Sequence, residues 1–215
     1  MADSPAPIDA KPTLWQRIPL AARLLITALA AMWVIELIDT FVTNNSLQRN
    51  GIHPRQLDGL DGIVFAPVLH STFGHLISNS VPFAVLGLLV AIRGIKHWLM
   101  VNVFVIVIGG GLTWLLAGGG NHIGASGVVF GYFGALVGAA IFERRPSVIA
   151  AALVAILMYS GILVGIVPQN QISWEGHLFG LLAGVLVSRR LAGPRKEPKP
   201  DIAEPWEASE PWRTD

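Results

Sequence analysis

Six long stretches of apolar residues divide this sequence of 215 residues, and they limit what the chain can fold into. A helix needs about 20 mostly apolar residues to cross the hydrocarbon core of a bilayer, with roughly 17 to 25 acceptable. The six stretches have this length and are Leu24–Val42, His75–Ile92, His97–Ala117, Ala125–Phe142, Ser147–Val167 and Trp174–Ala192. The pattern predicts an all-α fold, a polytopic membrane bundle of six transmembrane helices.

The composition favours lipid over water as the solvent of this bundle. Charged residues make up 13% of the chain, against about 25% in a typical soluble protein. Hydrophobic residues reach 53%, and the mean hydropathy is +0.57. Cysteine is absent, which excludes disulfides, thiolate nucleophiles and thiolate metal ligands. Any covalent catalysis must therefore use oxygen or nitrogen.

The distribution of Lys and Arg predicts how the bundle is oriented in the cell membrane. Arg49 and Arg55 lie in the connection after the first span. All the others lie in four regions, which are the N-terminal arm up to Arg23, the Arg93–Lys96 turn, the Arg144–Arg145 turn and the stretch from Arg189 onward. With six spans these regions share one side, so both termini are predicted to be cytoplasmic. Segments 43–74, 118–124 and 168–173 then face outward.

The two ends of the chain differ in composition from the membrane domain, which we place at residues 20–192. Residues 1–19 are rich in Pro, Asp and Lys and lack the apolar core of a signal peptide, so we predict a cytoplasmic arm. Residues 193–215 are rich in Pro and Glu, a composition that predicts a disordered cytoplasmic tail.

Polar residues stand at the start of three predicted spans. His75 and Asn79 lie in the first turns of the second span, Ser126 in the first turn of the fourth, and His177 in the first turn of the sixth. These spans all run from outside to inside, and a helix rises about 1.5 Å per residue, so the four side chains have similar depths. An ionisable residue inside a span is energetically expensive and therefore indicates function.

Glycines accompany two of these residues at helical spacing. His177, Gly180 and Gly184 fall on one face of the sixth span. A second stripe of glycines runs along the fourth span at Gly127, Gly131, Gly134 and Gly138. Small residues let membrane helices approach closely. We therefore predict that these two faces pack together and bring Ser126 to His177.

A serine beside a histidine suits nucleophilic catalysis. The imidazole, with a pKa near about 6.5, can take the proton of a weakly nucleophilic hydroxyl at neutral pH. Peptide hydrolysis also needs donors for the oxyanion, which the Ser126 N–H, His75 and Asn79 can supply. Glu175 is two residues from His177 and points away on a helix, so a Ser–His dyad is predicted rather than a triad.

Three motifs in this chain resemble those of one known family, the rhomboid intramembrane serine proteases. Gly124-Ala125-Ser126-Gly127 resembles their Gly-x-Ser-Gly motif. His177 with Gly180 and Gly184 is similar to their His-x-x-Gly-x-x-x-Gly helix. The stretch His70–Asn79 resembles their second-span signature. The order of the motifs also agrees, and the resemblance covers roughly residues 20–192.

The resemblance implies a role for each matching residue. Ser126 would be the nucleophile, His177 the base, and His75 and Asn79 part of the oxyanion hole, with His70 supporting the site. Phe130 stands where family members commonly have a Tyr that packs on the histidine. The ring of Phe can still stack there, but it cannot donate a hydrogen bond.

The resemblance also implies the partners of the protein. Substrates would be single-span membrane proteins, cut near the outer face of the lipid bilayer, with small residues favoured before the scissile bond. It implies no metal, no organic cofactor and no nucleic acid. The oligomeric state and the natural substrate do not follow from the sequence.

Other interpretations of the same residues remain open at this point. Ser126 could be a packing residue, and His177 could reach to water at the interface. An inactive relative that binds transmembrane clients would be expected to lack the serine or the histidine. A transporter or metal protein built on His70, His75 and His177 would often add a carboxylate or thiolate ligand.

Three histidines are assigned to interfaces or loops: His53, His97 and His122. The fifth span is a candidate gate.

Overall fold

The computed structural model describes residues 14–169 and 172–192, and in these residues it is all-helical. The long helices are α1 Leu20–Phe41, α2 Phe73–Ala91, α3 Ile95–Leu116, α4 Ser126–Glu143, α5 Pro146–Ile166 and α6 Trp174–Leu191. Each begins and ends within four residues of a stretch predicted from the sequence. Most of the predicted N-terminal arm and the predicted disordered tail lie outside the described residues.

Five of these helices, α1 to α5, are long and apolar enough to cross a membrane. Helix α6 has 18 residues, with Glu175 in its first turn and Arg189 and Arg190 in its last. An all-helical, multi-pass membrane architecture is therefore confirmed for the described part of the chain. The sixth span remains a prediction.

Two short turns place neighbouring helices side by side in opposite directions. Residues 92–94 join α2 to α3, and Arg144 and Arg145 join α4 to α5. Gly94 and Arg144 have positive φ values of 103° and 54°, which reverse the chain within these few residues. Pro146 then starts α5, a position that requires no N–H donor. Connections this short are typical of antiparallel neighbours.

Helix α4 is the centre of the bundle and the most buried of the candidate spans. It packs against α6, α5, α2 and the middle of α3. Tyr132 and Leu136 on α4 are fully buried, and the Tyr132 hydroxyl donates to the Asn102 side chain of α3 at 2.7 Å. A helix that is apolar on every side is expected in this central position.

Glycines set the distance between α4 and α6. A Cβ atom on Gly180 would overlap the Gly127 carbonyl, and one on Gly184 would overlap the Gly131 carbonyl. From the first contact to the second, the residue number rises by four in both helices. The two helices therefore run parallel and begin at the same end of the bundle. This is the contact that the glycine spacing predicts.

Helix α3 is irregular where it meets α6. Residues Val105–Gly109 form a π-helical segment between two α-helical parts. A Cβ on Gly109 would lie 3.3 Å from the Cα of Gly180, so α3 also approaches α6 closely. This helix contact thus lies beside a local change of winding.

The long connection between α1 and α2 is held by polar contacts. Asp39, buried at the end of α1, accepts hydrogen bonds from the backbone N–H groups of Leu47 at 2.8 Å and Gln48 at 3.0 Å. Farther along, the Arg55 guanidinium donates to the Ala117 carbonyl at 2.7 Å. The backbone of Ile52 pairs with that of His122, just before α4. The connection is therefore fixed against the end of the bundle where α2, α4 and α6 begin.

Candidate active site

Ser126 and His177 meet where two parallel helices begin. Ser126 is the first residue of α4, and His177 is the fourth residue of α6. The Ser126 Oγ and the His177 Nε2 are 2.8 Å apart, which is a hydrogen bond between side chains 51 positions apart in sequence. The close glycine contact between α4 and α6 makes this approach possible.

The other ring nitrogen of His177 defines which way this bond runs. His177 Nδ1 lies 2.9 Å from the carbonyl oxygen of Gly165, in the last part of α5. Because a carbonyl can only accept, Nδ1 carries the hydrogen. In the neutral ring Nε2 then has a free lone pair, and it accepts the hydrogen of the Ser126 hydroxyl. This is the arrangement in which an imidazole can act as a base toward a serine.

Phe130 fixes the plane of the His177 ring. The two rings are stacked, with centroids 4.4 Å apart and planes inclined by 9°. Phe130 is one helical turn after Ser126 and is buried. A Cβ on Gly165 would come within 2.9 Å of His177 Nδ1 and 3.1 Å of Phe130 Cζ. Gly165 therefore leaves the space that both rings occupy.

The backbone before Ser126 is surrounded by side chains from the start of α2. Gly124 has a φ of +112°, and a Cβ there would lie 2.7 Å from the His75 ring and 3.5 Å from Asn79 Nδ2. The Asn79 side chain also donates to the His75 carbonyl at 3.2 Å. The structure thus brings both predicted oxyanion-hole residues next to the Gly124–Ser126 turn.

His70 lies beneath the same turn and is almost completely buried, with 2% of its surface exposed. Its Nε2 accepts the Ala125 N–H at 3.4 Å, and its ring stands edge-on to that of His75, with centroids 5.1 Å apart. Burial, and secondarily the neighbouring His75, lower the pKa of His70 to about 4. The neutral ring can accept a hydrogen bond, whereas a protonated ring could not.

A small cavity of about 50 Å³ adjoins Ser126 and His177. Its polar lining includes Thr113, His122 and Ser173, and its apolar lining comes from the first connection and from α3. His122 Nδ1 is 2.6 Å from the Ser173 hydroxyl. The cavity is large and polar enough to hold water.

The sequence did not single out two of these contributors. His122 was assigned to an interface or loop, and no role was predicted for Gly165. Both reach the site through backbone or loop contacts that have no periodicity, so no pattern in the sequence could have found them. Glu175 behaves as predicted: it accepts the Gly118 N–H at 3.0 Å and points away from His177.

The described residues hold no cluster of three or more His, Cys, Asp or Glu side chains suited to a metal ion. His70, His75 and His177 are instead distributed around the Gly124–Ser126 turn and the Ser126 hydroxyl. The chemistry available from the described side chains is therefore proton transfer between Ser126 and His177, with hydrogen-bond donors close by.

Comparison with known proteins identifies a family and several relatives of this chain. The family described as Rhomboid domain matches residues 59–193, which include helices α2 to α6 and the whole candidate site. Over 183 residues the chain is 36% identical to the uncharacterized protein Rv1337 of Mycobacterium tuberculosis, covering 80% of this chain and 76% of that protein. It is 37% identical to the uncharacterized protein ML1171 of Mycobacterium leprae, covering 80% and 72%.

The family match covers more than half of the chain, and several helices of the described part are able to cross a membrane. The chain is a multi-pass membrane protein that belongs to the rhomboid family, a family of intramembrane proteases.

Proposed function

We propose that this protein is an intramembrane serine endopeptidase that cuts transmembrane segments of single-span membrane proteins. Ser126 is the nucleophile and His177 the general base. The observation that carries the proposal is the 2.8 Å contact between Ser126 Oγ and His177 Nε2, with Nδ1 held by the Gly165 carbonyl. A serine that served only in helix packing would not require a histidine in this orientation.

The reaction follows from the positions of these atoms. The Ser126 oxygen attacks the scissile carbonyl carbon while its proton passes to His177 Nε2. The tetrahedral intermediate collapses when the imidazolium returns that proton to the leaving amine, and an acyl-enzyme remains. Water then attacks the ester with the same base, releasing the carboxylic acid and the free Ser126 hydroxyl. The small cavity beside the dyad is a place from which this water can come.

The oxyanion hole consists of donors around the start of α4. The Ser126 N–H lies at a helix N-terminus, where backbone donors are free and the helix dipole favours negative charge. Ser71 Oγ lies 3.3 Å from His75 Nδ1. When Ser71 donates in this bond, His75 Nε2 carries a hydrogen toward Gly124. Asn79 Nδ2 provides a further donor. Removing one such donor typically lowers the rate about 10²- to 10³-fold.

Helix α6 is part of the proposal as the sixth span. It packs in parallel along α4, from Gly127 with Gly180 to Gly138 with Ser188 near the far ends. A helix that follows a spanning helix over this length must cross the same membrane. With six spans both termini lie on one side of the membrane, and the distribution of Lys and Arg makes that side cytoplasmic. The dyad then opens toward the outer face, with residues 20–192 as the membrane domain.

The proposal is tested with a fluorophosphonate probe, which reacts covalently with an activated serine. Purified wild-type protein should be labelled, and peptide mass spectrometry should find the adduct on Ser126. The variant S126A should lose the label while keeping its melting temperature. S46A, which changes an exposed serine of the first connection, is the matched control and should label fully. Labelling of S126A at the wild-type level would reject Ser126 as the nucleophile.

A further inference from the structure

A second, larger cavity lies at the opposite end of α4 from Ser126. Ser126 is the first residue of α4 and Glu143 the last, so about 26 Å of helix separates the cavity from the dyad. The cavity has a volume of about 1120 Å³ and lies between the α2–α3 turn and the α4–α5 turn. In the proposed topology this is the cytoplasmic end of the bundle.

The charged residues on the wall of this cavity are mostly positive. The lining includes one carboxylate, that of Glu143, and four basic residues, Arg93, His97, Arg144 and Arg145. Glu143 pairs with Arg93, and with Arg145 at 3.1 Å. Among the described residues Arg144 makes no ion pair. The wall therefore carries an excess of positive charge after every internal pair is counted.

One of these cations, Arg93, is partly buried and has a donor without a partner in the described part of the chain. The Arg93 side chain is 14% exposed, and its Nη1 atom is buried without a hydrogen-bond partner among the described residues. Buried donors of a charged group are nearly always satisfied, and an unsatisfied one calls for an acceptor. Arginine binds phosphate oxygens well because its planar fork can donate two bonds at once.

Most of the remaining wall is apolar and comes from the long helices. Leu89 of α2, Ile141 and Phe142 of α4 and Val148 of α5 line the cavity together with the arginines. Ile141 and Phe142 are both exposed, so an acyl chain can reach them. A free phosphate ion would leave this apolar half in contact with water, whereas a phospholipid would cover both halves.

We propose that this cavity binds an anionic phospholipid from the cytoplasmic leaflet. The lipid phosphate accepts hydrogen bonds from Arg93, Arg144 and Arg145, and an acyl chain lies along Ile141 and Phe142. Basic pockets between transmembrane helices on the cytoplasmic side are suited to such headgroups. This binding site is separate from the dyad and does not depend on the proposed protease activity.

The proposal is tested by native mass spectrometry of the full-length protein released from bilayers. The bilayers contain equal amounts of phosphatidylglycerol and phosphatidylcholine with the same acyl chains. Wild-type protein should retain phosphatidylglycerol in preference to phosphatidylcholine. The double variant R144Q/R145Q should lose about 30-fold in this preference, since each arginine near the surface contributes about 1 kcal/mol. R144K/R145K should stay within about threefold of wild type, because lysine keeps the charge.

Three controls keep this test decisive. R189Q/R190Q removes the same charge from exposed positions at the end of α6, outside the cavity, and should retain lipid as wild type does. If R144Q/R145Q does not fold, the single variant R144Q, at an exposed side chain outside the ion pairs, should give a drop of about fivefold. Inorganic phosphate, added to the lipid-free protein, should bind far more weakly than the lipid.

Three results would overturn the proposal. One is an equal loss of phosphatidylglycerol in R144Q/R145Q and R189Q/R190Q, which would mean that only the total charge matters. The second is equal retention of phosphatidylcholine, and the third is binding of inorganic phosphate as tight as that of the lipid. Labelling of Ser126 by the fluorophosphonate probe is unaffected by any of these results, so failure here is distinguishable from failure of the proposed function.

Discussion

The two nitrogens of the His177 ring have different partners, and this difference gives the residue its proposed role. Nε2 meets the Ser126 hydroxyl, and Nδ1 meets a backbone carbonyl rather than a carboxylate. A carbonyl fixes the tautomer, as an acid would, but it stabilises the imidazolium less because it carries no net charge. Ser126 and His177 were recognisable from the sequence. Gly165 was not, since a carbonyl partner can come from any residue type.

Catalysis should therefore be sensitive to even a methyl group at position 165. A Cβ in G165A would lie 2.9 Å from His177 Nδ1 and 3.1 Å from Phe130 Cζ, so the ring must shift. We expect kcat to fall about 10- to 100-fold with little change in KM, because the misplaced base affects the chemical step. The matched control is G161A, where nothing lies within 4 Å of the added atom. Equal kcat values for the two variants would contradict the positioning role of Gly165.

The ring of Phe130 should matter through stacking alone. Phe130 and His177 are stacked at 4.4 Å, and a Tyr at this position keeps that contact. F130Y is expected to keep kcat close to the wild-type value, and F130A to lower it by up to about tenfold, since an aromatic pair contributes about 0.5–1.5 kcal/mol beyond its burial. Cleavage assays in proteoliposomes measure this difference. Equal activity in all three proteins would show that stacking does not position the base.

The lowered pKa of His70 predicts that the stability of the folded protein depends on pH. Its folded-state pKa of about 4 is below the ordinary value of 6.5, so the folded protein holds the neutral ring. As the pH falls from about 6.5 to about 4, the unfolded chain takes up a proton that the folded protein does not, and stability decreases. H70Q keeps an acceptor for the Ala125 N–H but does not titrate. Denaturation in micelles at pH 7.5 and 5.0 should show a smaller loss for H70Q; an equal loss would contradict this assignment.

At the level of helices, the sequence predicted the elements well and the connections poorly. The six apolar stretches and the helices agree within four residues because length and hydropathy determine what can lie in a bilayer. The glycine stripes predicted the α4–α6 contact for a similar reason, since a period of 3.6 residues marks one face. The fixed connection between α1 and α2 depends on single contacts, such as Asp39 with Leu47 and Ile52 with His122, which have no period.

The contact between α4 and α6 should tolerate no added volume. In G184A the new methyl group would overlap the Gly131 carbonyl, and a backbone atom cannot move aside as a side chain can. We expect G184A to lower the free energy of unfolding by about 1–3 kcal/mol and to weaken the bond between Ser126 and His177. G111A, on α3 with nothing within 4 Å of the added atom, is the control and should unfold like wild type. Thermal denaturation of both variants in detergent measures the effect. Equal melting temperatures for G184A and G111A would show that the contact between α4 and α6 is not tight.

At the level of the whole molecule, the parallel start of α2, α4 and α6 gathers the site at one end of the bundle. The basic turns that lead into α3 and α5 lie at the other end. The fifth span remains a candidate gate: the end of α5 carries the carbonyl that holds His177, so a movement of α5 would release the base. Opening of the gate and release of the base are coupled in this way because the end of α5 contacts His177 in the first turn of α6.

The proposed topology is testable because the chain contains no cysteine. S46C, in the connection after α1, should react with a membrane-impermeant maleimide added outside intact cells. S147C, in the first turn of α5, should react only after the membrane is opened. Both positions are exposed, so accessibility depends on the side of the membrane. Reaction of both from the same side would refute the six-span arrangement.

The central claim is that Ser126 and His177 together cut a peptide bond inside the membrane. The direct measurement is the rate at which purified protein in liposomes cleaves a single-span substrate, under single-turnover conditions, for wild type, S126A, H177A and the S46A control. We predict that S126A and H177A each lower the rate at least 10³-fold, by similar factors because the two residues act as a unit, while S46A cleaves like wild type. Cleavage by S126A or H177A at the wild-type rate would contradict the account.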